Sequence, residues 1–303
     1  MNKKGIFFTI LAIALLSLFA VSYSVYSFVQ NREGIDKRIK TMNSYVSSLE
    51  EDIPRKLYIS GYRIIFLMEE RIIENGEYLK DIDANFSEAF FNGSLYGNDY
   101  TAEGGILDGA IFSDIVNDIN RNANQLNLDV SFVDPEISIS QDDPWHIKVS
   151  LQSNLIIRDR GNLAHWNRTS ALSAYIPIKN FEDPVYIVNT GARVVNKFVL
   201  TNYSVPISIG NLTAHAENSY YINHTDAPSF LQRLGGNLTA DPNGNGIESL
   251  VNTHKLSNQS IEIKPKCIID YLYFSDTPCI SFITYGDNGW IKIDEAHSSI
   301  YGA

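Results

Sequence analysis

The chain has 303 residues, 44% of them hydrophobic and 19% charged, which is enough for one or two domains with a sizeable core. A net charge of −11 speaks against a nucleic-acid partner, because phosphate binding needs clustered Lys and Arg. Two cysteines exclude a disulfide-dense mini-protein, and 12% aromatic residues exclude a disordered chain.

Residues 5–30 carry no charge, and Ile6–Ala20 is almost wholly apolar. Gly5–Phe28 is long enough to span a bilayer, and is read as leader and transmembrane anchor over residues 1–30. A cleaved secretory signal is the alternative, with Lys3 and Lys4 before the apolar run and Ala20-Val21-Ser22 as cleavage site. In both readings the residues after about 30 lie outside the cytoplasm; with the anchor retained, the expected location is the cell membrane, single-pass, with an extracellular C-terminal region.

Flanking charge does not orient the span: Lys3 and Lys4 precede it, while Arg32, Lys37, Arg38 and Lys40 follow it, offset by Glu33 and Asp36. Residues 1–40 carry six basic and two acidic side chains, which leaves −15 for residues 41–303, an acidic body suited to the exterior. Eight Asn-x-Ser/Thr acceptors follow the span: Asn85, Asn92, Asn167, Asn202, Asn211, Asn223, Asn237 and Asn258. That is about twice the chance number for this composition, so a glycoprotein is expected.

Ile35, Ile39, Met42, Val46, Leu49 and Ile53 recur at helical spacing, and Leu57, Ile64, Met68 and Ile72 continue the stripe beyond Pro54. The pattern predicts a long kinked helix over residues 31–79, continuous with the anchor. Its stripe packs either on the protein's own sheet or on a second subunit. Residues 81–105 read as loop, and a second amphipathic helix is expected at about 106–126.

The period then changes to two. Trp145, Ile147, Val149, Leu151, Leu155 and Ile157 alternate with mostly polar residues, and Leu172, Ala174, Ile176 and Ile178 begin a similar run. Val185–Val188 and Val194–Leu200 are expected to form a hairpin around Asn189-Thr190-Gly191. The fold class is α+β, an antiparallel sheet with one face covered by helices, with an α+β domain over 80–210 and a smaller β-rich domain over 211–303. In the latter, short helices are expected at Ala227–Leu234, capped by Asp226, and at Ile247–Val251. Strands are expected at Ser260–Lys264, Ile268–Phe274, Cys279–Tyr285 and Trp290–Ile293, with a turn at Gly286–Gly289.

Cys267 and Cys279 suggest one disulfide in an external domain. A tight hairpin around Ser275–Pro278 would hold them roughly 23 Å apart, too far to bond, so either that hairpin is open or the thiols are free.

Residues 241–248 hold the metal-like string of the chain. Asp241, Asn243, Asn245 and Gly246 match positions 1, 3, 5 and 6 of an EF-hand loop, but position 12 is Asn252 in place of Glu, so a turn is expected. His146, His165, His215, His224, His254 and His297 show no zinc spacing and are read as surface or strand residues. Asp270, Asp287, Asp294 and Glu295 are read as solvated loop charges, with a carboxylate pair assembled by the fold as the alternative. The aromatic residues of the tail, among them Tyr221, Tyr271, Tyr273, Phe274 and Trp290, are read as core, with stacking on sugars or a partner as the alternative. No hydrolase, P-loop or dinucleotide fingerprint occurs, so neither an enzyme, a cofactor nor a metal is expected.

Lys3-Lys4-Gly5, followed at once by the apolar Ile6–Val21 and the long helix, resembles the amino terminus of archaeal type IV pilin-like proteins with a class III signal. The likeness covers residues 1–75. It implies cleavage of the basic leader near Gly5 and an apolar helix that serves as anchor or filament core. The resulting expectation is a non-enzymatic, membrane-anchored surface protein of structural or adhesive role, with assembly through the long helix. The alternative is a membrane-tethered sensor or ligand-binding domain.

Overall fold

The structure, a computed structural model, describes residues 3–285 and 289–302. Most of the expected turn at Gly286–Gly289, and with it Asp287, lies outside the described residues.

One helix, α1 (Lys3–Asn75), takes up the first quarter of the chain and runs through Pro54. Its N-terminal part is long and apolar enough to cross a membrane, and its most apolar stretch is not buried at all. From Met42 onward the same helix buries its stripe: Met42, Val46, Leu49, Ile53, Leu57, Ile64, Met68 and Ile72 are all covered, whereas Ile35 and Ile39 remain 37% and 41% exposed. The periodicity that predicts the helix thus becomes a packing face in its C-terminal half.

After α1 come α2 (Ile82–Asn92), the short hairpin β1 (Ser94–Leu95) and β2 (Asn98–Asp99), and α3 (Phe112–Gln125). Three long strands follow, β3 (Leu128–Asp143), β4 (His146–Asp159) and β5 (His165–Pro177), forming one sheet in that order. The burial of β4 alternates along nearly its whole length, as a strand covered on one face requires. The remainder is short elements: α4 (Pro184–Thr190), α5 (Ile209–Glu217), β6 (Tyr221–Asn223), α6 (Phe230–Leu234), β7 (Ile247–Ser249), α7 (Thr253–Asn258), α8 (Asp270–Phe274), β8 (Ile283–Tyr285), β9 (Ile291–Ile293) and a 3₁₀ turn at Glu295–His297. Mixed helix and antiparallel sheet make the chain α+β.

The chain divides into two compact units. The first comprises residues 1–52, 116–135 and 153–170. Its core is built from Met42, Tyr45, Val46 and Leu49 of α1, Ile119 and Ala123 of α3, and Leu128, Val130, Leu155 and Ile157 of the sheet. Tyr45 Oη donates to the Ile119 carbonyl at 2.9 Å, and Arg38 meets the buried Asp159 carboxylate at 2.6 Å.

The second unit comprises residues 53–115, 136–152 and 171–303. Here α1 lies directly on the sheet at Gly61. A Cβ added there would come within 2.6 Å of Ile176 Cδ1 and 2.9 Å of Val149 Cγ2. A helix-interior glycine costs about 1 kcal/mol relative to alanine, and this close approach is what it permits. Residues on both sides of position 211 belong to this unit, where Leu200 bridges Tyr221 and Ile207 bridges Tyr301.

Several local expectations are corrected. Residues 185–188 are helical, not a strand. Asp183 caps α4 by accepting from Val185 N–H at 2.9 Å, Pro184 opens the first turn, and Gly191 closes it at φ 59°. Residues 82–92 form a helix in the expected loop, capped by the Asp81 side chain on Ala84 N–H and ended by Gly93 at φ 69°. Residues 247–249 are a strand, not a helix, pairing antiparallel with β6. Within 227–234 only Phe230–Leu234 is helical, and Ser229 with Gln232 forms its capping box in place of Asp226. Residues 260–264 form no strand, and the expected strand at 268–274 gives way to α8. That last change removes the objection to the disulfide. With a helix instead of a hairpin arm between them, Cys267 and Cys279 come to a Cα separation of 5.6 Å and are bonded.

Candidate functional site

Two adjoining clusters of buried polar groups lie in the second unit. The first is centred on Arg233, one turn into α6 and fully buried. Its Nη1 meets Asp183 at 2.7 Å and Asp270 at 3.0 Å, and its Nη2 meets the other Asp270 oxygen at 3.2 Å and the Ile247 carbonyl. Asp183 caps α4 and Asp270 is the first residue of α8, so the guanidinium ties three short helices and β7 together. Tyr221 Oη donates to Asp183 at 2.8 Å, and Ser249 donates to Asp270 through N–H and Oγ. Burial alone would lower the Arg233 pKa; Asp183 and Asp270 outweigh it and hold it above the ordinary arginine value. This is an anchoring knot: every carboxylate oxygen that meets Arg233 is already engaged.

The second cluster is His224, Glu248 and His297. The β6–β7 ribbon pairs Ile222 with Glu248, so His224, two residues on, projects from the same face as Glu248. His224 Nδ1 lies 2.9 Å from Glu248 Oε2. His297 closes the 3₁₀ turn that Asp294 begins, and that i,i+3 spacing sets the Asp294 carboxylate 2.7 Å from His297 Nδ1. His297 Nε2 then lies 3.4 Å from Glu248 Oε2 and 3.2 Å from Tyr271 Oη. Burial alone would raise the Glu248 pKa, but the two imidazoles hold the carboxyl at about 2. Burial alone would lower His297, but Asp294 and Glu248 raise it to about 10. His224 is raised by its bond to Glu248. Glu248 Oε1 and Tyr301 Oη are buried without a hydrogen-bond partner of ordinary geometry, though the carboxylate is near enough to add to the burial that raises the Tyr301 pKa.

These three residues could hold a metal ion. Sequence reading missed them because no local spacing joins them: the register of a three-residue ribbon sets the first two, and a turn near the chain's end supplies the third. A second group, Cys267, Cys279 and Asp294, is close-spaced, but both sulfurs are taken by the disulfide.

The other sequence-selected residues fall as follows. The 241–246 loop is a turn: Asp241 Oδ1 accepts from the N–H groups of Asn243 and Asn245, and the Asn245 amide donates to the Gln141 carbonyl. Tyr221, Tyr271, Tyr273 and Phe274 are buried in the core. Asp270 and Asp294 belong to the two clusters just described, and Glu295 is exposed.

Seven sequon asparagines are exposed: Asn92, Asn167, Asn202, Asn211, Asn223, Asn237 and Asn258. Asn85 is buried at 6% exposure, with Nδ2 donating to the Lys80 carbonyl and to Tyr96 Oη. If the chain meets a glycosylating compartment, glycopeptide mass spectrometry of native protein should find Asn85 bare and at least three of the exposed sites occupied, mainly among Asn202, Asn211, Asn223 and Asn237. A glycan on Asn85 would contradict the packing of α2.

His215, in α5, gives a pH dependence. It is fully buried among Tyr203, Tyr220 and Tyr301, with Nδ1 3.1 Å from Thr201 Oγ1 and Nε2 without a partner. Burial pulls it down to about 4, against a smaller upward push from Glu248. The unfolded chain takes this proton near pH 6.5 and the folded chain only near pH 4, so the unfolded state binds more protons in between. Stability should fall as pH drops through that window, by roughly 3 kcal/mol in all from this group. Urea denaturation of wild type and His215→Gln at several pH values checks this: the variant should lack that part of the slope.

The chain matches no family model, no curated protein and no solved structure.

Proposed function

We propose that this chain is a membrane-anchored surface protein of pilin-like build, with a structural or adhesive role and its folded units outside the cytoplasm. The observation that carries the reading is the division of α1. Fifteen large apolar or aromatic side chains between Phe7 and Val29 are exposed, while from Met42 onward the same helix buries the stripe Met42, Val46, Leu49, Ile53, Leu57, Ile64, Met68 and Ile72. Each such side chain gains roughly 1.5–3 kcal/mol on leaving water, so the inner part calls for a bilayer or neighbouring helices. The stripe from Met42 to Ile72 is covered by the chain itself, so an assembly of copies through α1 would use its exposed apolar side chains, the run between Phe7 and Val29 first.

The external location draws support from the acidic body, the seven exposed sequons and the Cys267–Cys279 bond, which suits an oxidising compartment. Lys3-Lys4-Gly5 before the apolar run, and a helix lying on an antiparallel sheet at Gly61, support the pilin-like build.

Alkaline extraction of membranes, followed by protease treatment of intact cells, tests the proposal. The chain should stay with the membrane, and external protease should digest the region after Arg32. Release by alkali, or full protection of that region, overturns it.

A tethered ligand-binding domain is the second reading. It is favoured by an open cleft of ≈ 530 Å³ lined by Trp145, His146, Pro177, Lys179, Phe198 and Leu200, within the size range of small-molecule sites.

A further inference from the structure

We propose that His224, Glu248 and His297 form a binding site for one divalent transition-metal cation, with Zn²⁺ as the reference ion. Two ligands at ordinary zinc distances in a tetrahedral arrangement stand about 3.3 Å apart. The two imidazole nitrogens lie 2.9 and 3.4 Å from Glu248 Oε2, and all three donor atoms fall within 4.8 Å of one another.

Three further features fit a cation. Asp294 holds His297 Nδ1 at 2.7 Å, which orients the ring and leaves Nε2 to face Glu248. Glu248 Oε1 is buried without a hydrogen bond of ordinary geometry, so the carboxylate has a second oxygen near the site. Tyr301 Oη, buried near the same carboxylate and likewise without a hydrogen bond of ordinary geometry, adds a further oxygen beside the site.

The donor set selects the ion. Two imidazoles and one carboxylate suit Zn²⁺, Co²⁺ or Ni²⁺, whereas Ca²⁺ and Mg²⁺ require a shell of oxygens. Glu248 is fully buried and His297 nearly so, while the His224 side chain is 16% exposed and marks the way in. The bound ion would staple the terminal turn at Glu295–His297 to the β6–β7 ribbon, joining segments more than 40 residues apart in sequence.

The test is calorimetric titration of the untagged full-length chain in detergent, first stripped with a chelator, with Zn²⁺ and separately with Ca²⁺. Folding is checked by circular dichroism. One Zn²⁺ per chain is expected, with no Ca²⁺ binding. The double variant His224→Ala/His297→Ala should lose at least 100-fold in Zn²⁺ affinity. Asp294→Asn leaves all three ligands in place and should lose about 10- to 100-fold; it keeps the proposal testable if the double variant fails to fold. Wild type with Co²⁺ should show the visible absorption of a tetrahedral site. Folded wild type that takes up no stoichiometric Zn²⁺ overturns the proposal. So does a folded double variant, or Asp294→Asn, that binds Zn²⁺ as tightly as wild type.

Discussion

Replacing Arg233 by Met should unfold the second unit or bring it close to unfolding. The guanidinium is the cation of a knot in which Asp183 and Asp270 are both fully buried. Methionine fills much of the volume but leaves two carboxylates in the interior without a countercharge. Removing one partner of a buried pair costs about 3–5 kcal/mol, and here two acids lose the same partner. That is comparable with the whole stability of many domains, about 5–15 kcal/mol. Chemical denaturation should show the loss. Arg233→Lys should fall between, because an ammonium keeps the charge but cannot bond Asp183, both Asp270 oxygens and the Ile247 carbonyl in one plane. The triple variant Arg233→Met/Asp183→Asn/Asp270→Asn should recover part of the loss. If Arg233→Met alone melts like wild type, the knot is not what holds α4, α6 and α8 together.

The second large effect is expected at α1. Val46 and Leu49 are both buried in the first unit. Changing both to Asp removes two apolar side chains worth roughly 1.5–3 kcal/mol each and places two carboxylates in an apolar seam. The chain should lose several kcal/mol of stability by denaturation in detergent. An inter-subunit seam would behave differently, leaving the fold intact and abolishing only self-association. The burial of Met42, Val46 and Leu49 within one chain decides for the first outcome.

Where local chemistry and tertiary packing agree, the sequence is readable. The α1 stripe and the alternation of β4 each repeat over many residues, so one misplaced residue cannot hide the period. Short apolar runs are ambiguous. Val185–Val188 has the composition of a strand, and only the caps around it, Asp183, Pro184 and Gly191, mark it as helix. Ile268–Phe274 shows the same ambiguity, because Asp270 there serves both as a helix-opening acid and as a ligand of Arg233. Misreading that segment as a strand is what set Cys267 and Cys279 apart.

The candidate site was less legible. Arg233 reads locally as a surface residue of a short helix, since its burial is decided by acids 50 residues before it and 37 after it. Likewise nothing near His224 announces His297. Their meeting depends on the register of Tyr221–Asn223 against Ile247–Ser249 and on the path of the last strand.

The division of α1 is tested most directly by spin-label accessibility along the helix, with the full chain in lipid bilayers. The disulfide leaves no free thiol among the described residues to compete with an introduced one. Labels at Leu16, Phe19 and Val25 should collide with lipid-dissolved oxygen and be shielded from a water-soluble reagent, while labels at the exposed Gly34 and Ser48 should show the reverse. Equal exposure of Leu16, Phe19 and Ser48 to the aqueous reagent would contradict a membrane-embedded inner helix.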